Sequence, residues 1–189
     1  MRVLAGTTEG MTGRQVHRLV GHGALRSAQR ALDRFAEEGL LDVKDVGASN
    51  EYTFNREHIA APAVMELVSL RTKLLERLRQ EFATWKPAPV HVSLFGSAAR
   101  GDGDTGSDID LLVVRPNAVD EEDPRWRAQL DELSEKLPRW TGNQPGVAEL
   151  SETEVQAMLT DRPPILEELH NDAVSLKGAS FSRYTRDVA

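Results

Sequence analysis

A glycine-rich polar loop between two short apolar runs constrains this chain most. The first run, Val90 to Phe95, ends abruptly at Gly96-Ser97. The loop continues through Gly101, Gly103 and Gly106. Ser107-Asp108-Ile109-Asp110 then opens a second apolar run, Leu111 to Val114. This order predicts strand, loop, strand. Alternation along the second strand puts Asp108 and Asp110 on one face, about 7 Å apart along the chain. Two carboxylates held that way suit a hard divalent cation, which takes oxygen ligands and keeps contacts to substrate phosphates. Gly96 lets backbone approach a phosphate closely, and the Ser97 hydroxyl and nearby N–H groups can donate to its oxygens. A lone Asp-x-Asp pair is more often a solvated turn; the meaning comes from its conjunction with Gly96-Ser97.

Gly96-Ser97, ten intervening residues, then Asp108-Ile109-Asp110 resembles the signature of the DNA polymerase beta-like nucleotidyltransferases. Arg100-Gly101 inside the loop makes the likeness strongest to their small prokaryotic branch, the minimal nucleotidyltransferases. The resemblance runs from about Val90 to Gly178. It implies an α/β domain, a small mixed-sheet core flanked by helices. It also implies Mg²⁺ or Mn²⁺ as cofactor and ATP or another nucleoside triphosphate as co-substrate. Asp108 and Asp110 take the first two metal-binding, catalytic places, and Gly96, Ser97 and Ser107 fall in the nucleotide-binding loop. Arg100 has two readings there, a phosphate contact or a structural salt bridge. The family's third carboxylate lies on a later strand between apolar neighbours. Glu149, between Ala148 and Leu150, fits that pattern and is expected to complete the catalytic and metal set. The chain departs from the family where an Asp is often aligned a few residues earlier, at Pro145-Gly146-Val147. An exposed strand residue is the alternative for Glu149.

Length and composition bound the rest. At 189 residues, with a 40% apolar share, the chain can hold one domain or two small ones, each with a core. No apolar run approaches a membrane span, and the start lacks the apolar stretch of a signal peptide. The absence of cysteine excludes disulfides and thiolate metal sites and fits a cytoplasmic protein. The net charge of −7 is unevenly spread. Residues 1–60 balance 8 basic against 8 acidic side chains, residues 61–86 carry 5 against 3, and residues 87–189 carry 10 against 19. Nucleic-acid affinity rests on phosphate neutralisation, so if duplex DNA binds, the first part of the chain is the better candidate than the acidic second part.

That first part reads as helix, tight turn, helix, hairpin. Thr12 and Gln15 form a capping box for a helix to about Val20, with Val16, Leu19 and Val20 inward. Gly21-His22-Gly23 breaks it. A second helix runs from Ala24 to Glu38 with Leu25, Ala28, Leu32 and Phe35 on one face, and Gly39 ends it. Strands over 40–46 and 51–54 follow, joined through Gly47-Ala48-Ser49-Asn50. The order resembles a winged helix-turn-helix domain of the prokaryotic regulator type, assigned to residues 1–60. The resemblance puts the second helix in the DNA major groove. Arg26, Arg30 and Arg34, spaced four apart, and Gln29 beside them can read base edges, while Arg14 and Arg18 reach phosphates. A solvated basic stripe partly paired with Asp33, Glu37 and Glu38 is the plainer reading. The family has a full helix before this unit; here only a few residues precede it, so either another element completes the core or the start is shortened.

Pro62 to Trp85 reads as one long connecting helix within residues 61–86. Its stripe of Val64, Val68, Leu75, Leu78 and Phe82, widened by Leu67, Leu70 and Leu74, must bury against something. The helix packs on both domains or makes a homodimer contact. Lys86-Pro87-Ala88-Pro89 marks the boundary with a transferase domain over 87–180. After Asp123-Pro124, a helix carries Trp126, Leu130, Leu133 and Leu137 and stops at Pro138. Val147–Leu150 reads as a strand, Ser151 and Glu154 as a second capping box, and Ile165, Leu166 and Leu169 as a short helix. Val174–Leu176 is the closing strand, and 181–189 a loose tail. The histidines show no metal-ligand spacing, and His91 is expected to be structural.

The expected function is divalent-metal-dependent transfer of a nucleoside monophosphate, AMP from ATP foremost, to a hydroxyl of a protein or small-molecule acceptor. The alternative is a DNA-binding regulator whose transferase fold senses nucleotide without turnover. A cationic small-molecule acceptor, as in the aminoglycoside nucleotidyltransferases, is the third reading and suits the acidic surface.

Overall fold

A computed structural model describes residues 1–101 and 106–188; Gly103 of the predicted loop lies outside them. The chain divides into two compact units, Met1–Leu70 and Arg71–Ala189.

The first unit runs α1 (Arg2–Ala5), β1 (Met11–Thr12), α2 (Gly13–Val20), α3 (Leu25–Glu37), β2 (Leu41–Asp45), β3 (Asn50–Phe54) and α4 (Ala61–Val68). The capping box forms as the sequence predicts. Thr12 Oγ1 accepts from the Gln15 amide, and the Gln15 side chain accepts from the Thr12 amide at 2.7 Å. Gly21 closes α2 in the left-handed region at φ 77°, which a β-carbon disfavours. The antiparallel strands pair in the order β1-β3-β2. Val16, Leu32, Leu41, Tyr52 and Phe54 build the core with Leu4, Ala5 and Ala61, and Val64 and Val68 pack against it. So α1 is only a stub, and α4 adds helical cover to this core. Leu19, 60% exposed, and Val20 do not turn inward as predicted, because α2 is short and buries only Gly13 and Val16.

The predicted single helix from Pro62 to Trp85 is two. α4 ends at Ser69, whose amide donates back to Met65 and Glu66, and α5 begins at Leu70 and runs to Thr84. The boundary between the two compact units falls at this break. Val64 and Val68 therefore serve the first core, while Leu75, Leu78 and Phe82 serve the second. Leu67 and Leu70 remain exposed.

The second unit continues with β4 (His91–Phe95), α6 (Gly96–Arg100), β5 (Ile109–Arg115), α7 (Pro124–Thr141), β6 (Pro145–Ser151), α8 (Glu152–Asp161), α9 (Ile165–Asp172), β7 (Val174–Lys177) and α10 (Phe181–Val188). Its mixed sheet has the order β6-β5-β4-β7; β5 and β6 are parallel, and the other pairs antiparallel. Each face of the sheet buries an apolar layer, as a sheet covered by helices on both sides requires. Ile109, Leu111 and Val113 face Leu75, Leu78 and Phe82 of α5 and Trp126, Leu133 and Leu137 of α7. Phe95, Leu112 and Val114 face Val155 of α8, Leu166 and Leu169 of α9, and Phe181 and Tyr184 of α10.

Two expectations fail here for packing reasons. α7 runs through Pro138 to Thr141, since buried Leu137 and core-packed Trp140 hold its last turn in place and Gly142 caps it. The segment predicted as a loose tail forms α10, with Phe181 and Tyr184 buried. Its aromatic residues find a partner in His91 of β4, which stacks on the Tyr184 ring at 4.8 Å. No helix of the described residues is long and apolar enough to cross a membrane.

Candidate active site at the end of strands β4 and β5

β4 ends at Phe95, opposite Asp110, its partner in the antiparallel register. The chain then turns sharply at Gly96 (φ 66°) into α6. On its other side Asp110 is paired with Gly146 of β6. Both glycines are needed for the same reason. A β-carbon at Gly96 would lie 2.4 Å from Asp110 Oδ2, and one at Gly146 would lie 2.6 Å from Asp110 Oδ1. The carboxylate thus occupies a cradle that any other residue would fill. Asp108, just before β5, comes to the same place: its Cβ is 3.8 Å from the position of a β-carbon on Gly146. The predicted alternation therefore brings the two carboxylates together. Gly96 acts first to admit Asp110, a role that sequence reasoning did not assign.

α6 is held from two directions. The Arg71 guanidinium donates to the carbonyls of Ala98 and Ala99, and Arg100 Nη1 pairs with Asp172 Oδ2 of α9 at 2.8 Å. Of the two readings for Arg100, the structure contains the salt bridge. Ser97 is half-buried on the first turn of α6. The Ser107 carbonyl accepts from the Asn143 side chain at 2.6 Å, which ties the start of β5 to the chain before β6.

Asp110 is half-buried, and its pKa is raised by burial, then by the charges of Asp108 and Glu168, with Arg100 opposing. Glu168, on α9, was not singled out in the sequence. It lines a cavity of about 470 Å³ with Asp110, Gly146, Ala148 and Ile165. No spacing rule links it to the motif; only the packing of α9 brings it there.

Glu149 is not brought to this site. It pairs with Val113 in the β5–β6 register, three residues beyond the Asp110–Gly146 pair, so alternation points it to the opposite face of the sheet. There its carboxylate accepts from Arg115 Nε at 2.6 Å and from Trp126 Nε1 at 3.2 Å. This corrects the expectation that Glu149 joins Asp108 and Asp110. Its apolar neighbours signalled a strand, but the face depends on register, which they do not fix.

The oxygen donors of Asp108 and Asp110 fit a hard cation, and a positive charge would relieve their mutual repulsion. Among the described residues no three His, Cys, Asp or Glu side chains are gathered as a metal cage. Two carboxylates nevertheless fit Mg²⁺, which commonly takes one or two from protein and the rest of its shell from water and phosphate.

In the first unit, Arg26, Arg30 and Arg34 are exposed on α3. Gln29 is otherwise engaged. Its Nε2 donates to the Tyr52 hydroxyl at 2.5 Å and to Asp33 Oδ1 at 3.2 Å, while the Tyr52 hydroxyl donates to Asp33 at 2.6 Å. The predicted base-reading role of Gln29 is therefore replaced by a bridge between α3 and β3.

Comparison with known proteins bears on the second unit. Residues 72–157 match the family model of the nucleotidyltransferase domain, a stretch that takes in α6, both aspartates and β6. Two solved structures are similar at low identity. One is a Sulfolobus solfataricus protein assigned provisionally to the nucleotidyltransferases: 23% identity, 57% of this chain and 83% of that one covered, TM-score 0.34. The other is a mutant of the toxin–antitoxin MntA-HpeT: 19% identity, 61% of this chain and 87% of that one covered, TM-score 0.35. No curated protein matches the chain.

Proposed function

We propose that this chain transfers a nucleoside monophosphate, AMP from ATP foremost, to a hydroxyl of a protein or small-molecule acceptor. The observation that carries the reading is the cradle of Gly96 and Gly146 around Asp110, with Asp108 beside it, inside the stretch that matches the nucleotidyltransferase domain. In the transfer, the acceptor oxygen bonds to the α-phosphorus, the bond from that phosphorus to the pyrophosphate oxygen breaks with pyrophosphate leaving, and the hydroxyl proton passes to solvent water. Asp108 and Asp110 would hold Mg²⁺ or Mn²⁺, which supplies charge neutralisation for the triphosphate and for the leaving pyrophosphate. In this reading Gly96 and Ser97 contact the phosphates, with the Ser97 hydroxyl as the side-chain donor. Arg71 and the Arg100–Asp172 pair keep α6 in position, so Arg100 acts by placing Ser97.

The first unit is read as a winged helix-turn-helix that binds duplex DNA through Arg26, Arg30 and Arg34. The support is the order of α2, α3 and the β2–β3 hairpin, together with the exposure of the three arginines. A regulator that senses nucleotide without turnover is favoured by one observation, that β6 carries Gly146 and no carboxylate beside Asp110. The experiment that separates the two readings incubates the full chain with α-³²P-labelled triphosphates, Mg²⁺ or Mn²⁺ and lysate of the source cells. Label on a macromolecule or small molecule supports transfer. Tight nucleotide binding with no labelled product supports the sensor.

A further inference from the structure

We infer that Glu168 of α9 is the third carboxylate of this site and acts on a divalent cation through the cation's bound water. The inference rests on the reading of Asp108 and Asp110 as cation ligands and goes beyond it.

The strand position beside Asp110 is closed to an acid. A β-carbon at Gly146 would already meet Asp110 Oδ1 at 2.6 Å, so a carboxylate there would displace the one it was meant to assist. Glu149, the acid further along β6, is turned to the opposite face and bound to Arg115. Glu168, from α9, lines the same cavity as Asp110 and Gly146. Glu168 is exposed, and the seat of α9 beneath it is set by burial. Leu166 and Leu169 bury the inner side of α9, and Ile165 lines the same cavity one turn earlier. Asp172, one turn later on the Glu168 side, is anchored to Arg100 of α6. Among the described residues the Glu168 carboxylate has no hydrogen-bond or ion-pair partner.

Direct ligation by three acids does not fit, since no three-acid cage is gathered among the described residues. Water-mediated contact does. Mg²⁺ dehydrates reluctantly and keeps several waters, and a carboxylate accepting from such a water adds affinity without entering the inner shell. The cavity of about 470 Å³ leaves room for that water and for substrate.

The test measures binding of Mn²⁺ alone to the full chain, by the loss of the free-ion paramagnetic resonance signal. Glu168→Gln is compared with wild type, with Glu168→Asp, and with Glu167→Gln, a neighbouring exposed acid outside the cavity. Circular dichroism confirms that each variant is folded. Outer-shell partners typically change metal affinity 10- to 100-fold. The expected result is Mn²⁺ binding weakened about tenfold in Glu168→Gln, partly restored in Glu168→Asp, and within twofold of wild type in Glu167→Gln. Equal affinity in Glu168→Gln and wild type overturns the inference and leaves the Asp108–Asp110 reading standing. Equal losses in Glu167→Gln and Glu168→Gln overturn it too, since they reduce it to a general charge effect. A wild type that binds no Mn²⁺ sinks both.

Discussion

The Glu149 carboxylate accepts from Arg115 Nε at 2.6 Å, on the face of the sheet opposite Asp110. Arg115 is only 8% exposed, so its charge depends on that partner. The Arg115 guanidinium also donates to the Val119 carbonyl, which pins the loop before α7. Removing one member of a buried pair leaves the other uncompensated and costs about 3–5 kcal/mol. Glu149→Ala should therefore lower unfolding stability by about that amount, and Glu149→Gln by less, because the amide oxygen still accepts. Neither should change Mn²⁺ affinity. Denaturant melts and metal titration on the same variants check this; a metal-binding defect in a stable Glu149 variant would return Glu149 to the site.

His91 makes folding sensitive to acid. It is fully buried, its Nε2 lies 2.7 Å from Ser93 Oγ, and it stacks on Tyr184. Burial lowers its pKa from 6.5 to about 4. The unfolded chain then binds the extra proton between those values, so stability is full above about pH 6.5 and falls as pH drops towards 4. The loss is about 3 kcal/mol at most, from 1.36 kcal/mol per pKa unit. Urea midpoints between pH 4 and 7 should show this slope in wild type and a flatter one in His91→Phe. Parallel slopes would contradict it.

Of the four side chains predicted to read DNA, Gln29 and Arg30 should separate. Gln29 bridges α3 to buried Tyr52, whose hydroxyl keeps Asp33 as a partner, so Gln29→Ala should lower stability by about 0.5–1.5 kcal/mol, the net worth of a hydrogen bond. Arg30 is exposed, so Arg30→Ala should leave stability within about 0.5 kcal/mol of wild type. If Arg30 contacts a base in a selected duplex, the same change weakens binding by about 1–3 kcal/mol. Thermal melts and fluorescence anisotropy on both variants check the division. No enriched sequence in a selection from genomic DNA would remove the DNA reading.

Local signals in the sequence were informative wherever the physics is local. Both capping boxes, Thr12 with Gln15 and Ser151 with Glu154, are present, and Asp123 caps α7. The pairing of Asp108 with Asp110 needed only strand alternation. What escaped depends on tertiary packing. The fate of Glu149 turns on the parallel register of β5 and β6, set by which residues bury and not by the composition of β6. The break at Ser69 lies inside an unbroken apolar pattern, because two cores divide that pattern between them. α10 was missed because its polar surface masks two buried aromatic residues. Glu168 has no local signature and enters the site only through the seating of α9.

The central claim is that Asp108 and Asp110 hold the cation that carries a nucleoside triphosphate. A ligand that binds only the folded state raises stability, by about 2.7 kcal/mol at a hundredfold excess over its Kd. The most direct measurement is the thermal midpoint of the full chain with ATP, GTP, CTP and UTP, each with Mg²⁺, with Mn²⁺ and with chelator. The account predicts an upward shift in wild type for at least one triphosphate, dependent on the cation, and its loss in Asp108→Ala/Asp110→Ala. No shift with any triphosphate and either cation, or an undiminished shift in the double variant, would contradict it.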